Sequence, residues 1–220
     1  MAAPADIKDS ILDTVGETPL VRLSRIAAGL APQVVAKVEY FNPGGSIKDR
    51  VAMRMVEAAE ADGRLKPGGT IIEPTSGNTG TGLAIAARIK GYRVIAVMPD
   101  KMSKEKIDLL RAYGAEVVVT PTDVDPDSPQ AYYRVADRLT QEIAGAFQPN
   151  QYANPANPQT HYESTGPELW RQSAGAITHL VVGVGTGGTS VGATTTSAPY
   201  ARSRSIFSFD ILSGITAITR

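Results

Sequence analysis

Apolar positions along most of the chain fall into short, nearly continuous runs separated by longer amphipathic stretches. Residues 34–39, 70–73, 93–98 and 116–120 are runs dominated by Val and Ile and bounded by turn residues. They are too short for helices and read as strands buried on both faces. Between them, residues 46–62, 78–90 and 104–113 repeat their apolar positions at helical spacing. Each of these segments is stopped by a glycine (Gly63, Gly91 or Gly114), at the place of a helix C-cap. The alternation predicts an α/β fold, with a parallel sheet covered by helices on both sides. A proline-rich loop at 121–129 leads into a further expected helix at about 130–144, and residues 180–182 form another expected strand. Residues 1–10 carry no pattern. Residues 9–15 suggest a short helix broken at Gly16, and Thr18-Pro19-Leu20-Val21 reads as a turn entering a strand.

Against this pattern one polar residue is badly placed. Asn42-Pro43-Gly44-Gly45 forms a turn, Ser46 opens a helix as its N-cap, and Asp49 completes the spacing of a capping box. Lys48 then falls in the first helical turn, beside the apolar stripe Ile47, Val51 and Met55. The positive end of the helix dipole disfavours a cation there. An isolated lysine is ordinarily a solvated surface residue. At this position desolvation and the dipole both favour the neutral amine, which suits a nucleophile.

Two further segments carry candidate chemistry. Pro74-Thr75-Ser76-Gly77-Asn78-Thr79-Gly80 lies between a strand and a helix, at the carboxyl end of an expected parallel strand. Main-chain N–H groups and hydroxyls gathered at a helix start can hold an anion, although an ordinary polar turn has the same composition. Gly185-Thr186-Gly187-Gly188-Thr189 follows the strand at 180–182, and its glycines let backbone approach a phosphate closely. Gly183 to Gly188 also fits the dinucleotide pattern G-x-G-x-x-G, which must open a long helix. Thr194-Thr195-Thr196 followed by Pro199 is poor material for one.

Composition narrows the classes. Acidic and basic residues balance at 22 each, so neither nucleic acid nor an anionic membrane is an expected partner. No apolar run is long enough to span a membrane and no signal segment opens the chain, so a soluble cytoplasmic protein is expected. Cysteine is absent and the histidines are only His161 and His179. No metal site is therefore expected, and both histidines read as structural.

Taken together and in order, the Ser-x-Lys-Asp-Arg run at 46–50, the Thr-Ser-Gly-Asn-Thr loop at 75–79 and the glycine-rich loop at 185–189 resemble a known family. It is the cystathionine β-synthase and cysteine synthase family of fold-type II pyridoxal-phosphate enzymes, and the resemblance runs from about Ile11 to Thr189. It implies that Lys48 bonds the cofactor and removes the substrate's α-proton, and that Asn78 hydrogen-bonds the cofactor's ring hydroxyl. It implies further that Gly185, Thr186, Gly187, Gly188 and Thr189 hold the cofactor phosphate. Thr75, Ser76, Gly77, Asn78 and Thr79 would then bind the amino acid carboxylate, with the aromatic Tyr152 near the substrate. The implied reaction is β-replacement, L-serine with homocysteine giving cystathionine; the cysteine synthase alternative uses O-acetylserine and sulfide. A homodimer is the family's common form.

The resemblance implies a two-domain architecture of parallel and mixed sheets flanked by helices. Residues 1–45 and 150–189 would form a large pyridoxal-phosphate-binding domain, incomplete here, and residues 46–149 the smaller α/β domain. After Thr189 the likeness stops. Residues 190–220 contain no Lys and no Glu and are rich in Ser and Thr. A slipped reading frame is one expected origin, since codons for 189–197 can be chosen so that the adjacent frame encodes Ile-Ser-Gly-Arg-Asp-Tyr-Tyr-Leu, a family helix. On this reading the tail supplies no strand, and an inactive cofactor-binding fragment is the alternative to an enzyme.

Overall fold

The structure, a computed structural model, describes residues 6–75, 77–197, 204–208 and 215–219. Four strands form a parallel sheet in the order β5-β4-β3-β6: β3 (Thr70–Pro74), β4 (Arg93–Pro99), β5 (Glu116–Thr120) and β6 (Ala146–Phe147). Alternate side chains of β3 and β4 point to opposite faces, and both faces are covered. Ile71, Val94, Ala96 and Met98 pack with Val51, Met55 and Leu83 of α1 (Lys48–Ala61) and α2 (Asn78–Lys90). Ile72, Ile95 and Val97 pack on the other side with Val135 and Ala136 of α4 (Tyr132–Glu142). Burial on both faces is why these strands lack polar alternation. Between β4 and β5 runs α3 (Lys104–Ala112).

A second, mixed sheet has the order β1-β2-β9-β7-β8. It contains β1 (Leu20–Arg22), β2 (Val34–Val38), β7 (His179–Gly183), β8 (Arg204–Ser208) and β9 (Ile215–Thr219). The expectation that the tail supplies no strand is thus corrected. The segment β9 pairs antiparallel with both β2 and β7, and β8 runs parallel to β7. Ile-Thr-Ala-Ile-Thr and Ser-Ile-Phe-Ser carry the β-branched and aromatic residues that suit a pleated surface.

A second correction concerns residues 188–197, which form helix α7 (Gly188–Ser197) despite the threonine run. Tertiary packing overrides the propensity: Gly192 lies so close to Pro158 that an added Cβ would be 2.3 Å from its carbonyl oxygen. The context argument against the dinucleotide pattern therefore falls. Between β6 and β7 the chain forms α5 (Ala156–Thr160), a π turn (His161–Thr165) and α6 (Gly166–Gln172). Among the described residues no helix is long and apolar enough to cross a membrane.

Four buried charges tie the second sheet to α1. Arg50 donates to Glu168 through Nη1 at 2.7 Å and Nη2 at 2.9 Å, and to Glu39 through Nε and Nη2, both at 2.9 Å. Lys37 donates to Glu168, to the Thr18 carbonyl and, at 2.8 Å, to Gln172 Oε1. Burial alone would raise the Glu168 carboxyl, but Arg50 and then Lys37 hold it down at about 2. The two cations and two anions thus compensate one another inside the protein, and Arg50 is two residues from Lys48.

Candidate active site

Lys48 is the first residue of α1, but Ser46 and Asp49 do not form the expected capping box. Ser46 Oγ accepts from the Lys48 N–H at 3.1 Å, whereas Asp49 turns back to the Gly44 N–H at 2.5 Å. The turn explains the change. Gly45 has φ +76°, and Gly44 comes so near that a Cβ there would be 2.4 Å from Asp49 Oδ1. The Asp49 carboxyl is buried and pushed up to about 6, chiefly by that burial. Lys48 itself is half-buried and burial lowers its pKa. Among the described residues its Nζ makes no hydrogen bond or ion pair, so the amine is left available.

The loop between β3 and α2 is organised by Thr75. Its hydroxyl accepts the N–H groups of Gly77 at 3.2 Å and Gly80 at 3.1 Å. Both lone pairs are then used and the O–H proton remains to donate. Thr79 instead spends its proton on Gln151 Oε1 at 2.6 Å, which turns the Gln151 amide donor away from it. Asn78 is exposed at the helix start, and Ser76 lies outside the described residues. Lys106 of α3 stands against this loop: a Cβ on Gly77 would be 3.5 Å from its Nζ.

Gln151 and Tyr152 sit on a loop braced by Glu73 of β3. The Glu73 carboxylate accepts the N–H of Asn150 at 2.9 Å and of Gln151 at 3.2 Å. Tyr152 is exposed. Burial pushes Glu73 up to about 7, against the lowering effect of those two N–H groups. Its native state thus holds a proton that the unfolded chain loses near the ordinary glutamate value of 4.5. Stability from this group is full below about 4.5 and is lost as pH rises through about 7, a change on the order of 3 kcal/mol. Glu73→Gln is therefore expected to gain on the parent by roughly that amount between pH 4.5 and 8, read by urea unfolding at both ends. Parallel profiles would mean that Glu73 titrates as in solvent.

The glycine-rich loop lies across from these elements and is joined to them by Asn157. That side chain donates to the Gln151 carbonyl at 2.9 Å and to Thr186 Oγ1 at 2.8 Å. Its Oδ1 is buried without a hydrogen-bond partner, and a Cβ on Gly188 would be 2.2 Å from it. Gly187 takes φ +81°, and α7 begins at Gly188, so its first N–H groups point into the loop. Thr189 Oγ1 lies 3.1 Å from His161 Nε2. A continuous set of contacts therefore runs from Thr79 through Gln151 and Asn157 to Thr186.

A phosphorylated carbonyl cofactor fits this donor set: an amine unpaired among the described residues, a helix N-terminus, open space at Gly185 and Gly187 where a Cβ would meet nothing within 4 Å, and hydroxyls with protons to donate. Sequence reasoning gave no specific role to Gln151, Asn157, Lys106 or Glu73. The side-chain partners of Gln151 and Asn157 lie on other loops and elements, so neither is marked by its own neighbours in the sequence.

The comparisons agree with the geometry. The model of the family "Pyridoxal-phosphate dependent enzyme" matches residues 11–204. Cystathionine beta-synthase of Rattus norvegicus is 54% identical over 188 residues, covering 84% of this chain and 34% of that protein. A cysteine synthase of Staphylococcus aureus is 48% identical over 182 residues, covering 82% of this chain and 57% of that protein. The crystal structure of O-ureido-L-serine synthase superposes with a TM-score of 0.82 at 44% identity, covering 90% of this chain and 63% of that one. The chain thus spans about a third of the length of the cystathionine β-synthases it matches. With a family match over most of its length, the chain belongs to the pyridoxal-phosphate dependent enzymes.

Proposed function

We propose that this chain carries the catalytic lysine and cofactor site of a β-replacement enzyme that joins L-serine to homocysteine, forming cystathionine. The single observation that carries the reading is Lys48: a half-buried amine, lowered by burial and unpaired among the described residues, at the head of α1. Residues 185–189 would hold the cofactor phosphate and Asn78 its ring oxygen. When bound, pyridoxal phosphate draws electrons from the substrate's Cα–H bond.

The other steps belong to this chain's residues. Lys48 Nζ takes the α-proton, and burial, which lowers its pKa, favours the neutral amine that can act as a base. Thr75, with its proton free, donates to the substrate carboxylate together with Ser76, Gly77 and Asn78, while Thr79 acts through the Gln151 amide. Tyr152 walls the substrate. The hydroxyl leaves Cβ as water and the thiol sulfur takes its place. Lys106 favours homocysteine over sulfide as the thiol, because homocysteine brings a second carboxylate for its ammonium. The unit 46–149 would serve as the smaller domain, with 1–45 and 150–189 as the larger. We place the enzyme in the cytoplasm as a homodimer, for which the exposed stacked pair Tyr40 and Phe41 offers an anchor.

The test is turnover of purified protein loaded with pyridoxal phosphate. Cystathionine from serine and homocysteine supports the proposal. Cysteine from O-acetylserine and sulfide alone would favour the cysteine synthase reading, consistent with the likeness to the Staphylococcus aureus protein. Bound cofactor with neither product would identify an inactive cofactor-binding fragment.

A further inference from the structure

His161 is wholly buried on the π turn, yet no step above uses it. Its Nδ1 lies 2.9 Å from Thr165 Oγ1 and its Nε2 3.1 Å from Thr189 Oγ1. A single π turn inside a helical segment is uncommon and changes which way its side chains face. Here it aims the ring at the first turn of α7. Gly192 holds that helix close, since a Cβ there would be 2.7 Å from His161 Cβ. Burial, followed by the charges of Lys48 and Arg50, pushes the ring down to about 3. The imidazole is therefore neutral and carries one proton.

Where that proton sits decides what Thr189 can do. With the proton on Nδ1, the ring donates to Thr165 and Nε2 consumes the Thr189 proton. Thr189 then shows only lone pairs to the glycine loop, which repel an anion. With the proton on Nε2, Thr165 donates to Nδ1 and the ring donates to Thr189. The Thr189 hydroxyl proton is then free for an anion.

We propose that His161 is a positioning residue that holds its Nε2–H on Thr189, so that the Thr189 hydroxyl donates to a phosphate in the 185–189 loop. The inference rests on the reading of that loop as the cofactor's phosphate site. A phosphate there draws the ring into this tautomer, and the fixed Thr165 acceptor-to-donor switch on the far side accommodates it. His161 contributes through Thr189, without touching the ligand.

Side-chain amides separate this role from a structural one, because a Gln amide nitrogen reaches the place of Nε2 and an Asn amide that of Nδ1. The affinities of pyridoxal phosphate and of pyridoxal, which lacks the phosphate, are measured for the parent, His161→Gln, His161→Asn and His161→Leu, with urea unfolding of each. His161→Gln is expected to bind pyridoxal phosphate within about threefold of the parent, and the Asn and Leu variants at least about tenfold more weakly. Pyridoxal should bind all four alike. Equal losses for both ligands, or undiminished pyridoxal phosphate affinity in the Asn and Leu variants, would overturn the proposal. A parent protein that fails to distinguish the two ligands would instead remove the phosphate-loop reading beneath it.

Discussion

Lys48→Ala protein is expected to yield no peptide bearing a borohydride-fixed pyridoxal adduct, whereas the parent yields one at residue 48. Turnover, where the parent has it, should fall by a factor on the order of 10³ or more, since on the proposed reading one amine serves as both attachment point and base. Stability should move little. The ammonium makes no ion pair among the described residues and burial already disfavours its charge, so a change within about 1 kcal/mol is expected in urea unfolding. The peptide map reads the chemistry and the unfolding curve reads the fold, so the two effects separate. An adduct that persists on another lysine would sink the assignment, and Lys106, beside Gly77, is the residue to examine first.

The second large effect concerns a residue that makes no contact with the proposed substrates. Glu168→Ala removes the carboxylate shared by Arg50 and Lys37, both almost fully buried. Breaking a buried ion pair from one side strands a charge and typically costs about 3–5 kcal/mol, a large share of the 5–15 kcal/mol that holds a domain folded. The urea midpoint should drop accordingly, and Glu168→Gln, which keeps the shape but loses the charge, should recover only part of it. Because Arg50 also anchors the start of α1, the surviving folded protein should attach pyridoxal phosphate at Lys48 more slowly. A loss under about 1 kcal/mol would show that Glu39 alone neutralises Arg50.

What could be read in advance divides by range. The strand–helix alternation from β3 to β5 was visible because each element is closed by its own neighbours, such as Gly91 in the left-handed conformation after α2. The Lys48, Thr75–Thr79 and Gly185–Thr189 motifs were visible because each is contiguous. Hidden features join distant segments. Glu168 meets Lys37 across 131 residues, and Asn157 meets Thr186 across 29. Asp49 was assigned to Ser46 because a spacing rule ignores the turn that brings the Gly44 N–H nearer. Helix α7 was missed because threonine propensity was weighed without the packing of Gly192 against Pro158.

The two sheets also differ in when they can exist. Every pairing of the parallel sheet closes within residues 70–147, as in Thr70 with Arg93. In the mixed sheet β2 pairs with β9, Val34 with Thr219, closing a loop about eight times longer. Three doublings of loop length add roughly 2 kcal/mol of closure entropy, and such non-local pairing is slow. During synthesis from the N-terminus, α1 and its lysine can therefore dock on the parallel sheet while the residues after 147 are still being supplied. The glycine-rich loop, the π turn and the partners of Lys37 arrive only afterwards. The nascent chain thus passes through an interval in which the reactive amine is already in place but nothing can hold a phosphate beside it. On the proposed reading, cofactor capture is then a late event that waits for β9 to pair with β2 and β7.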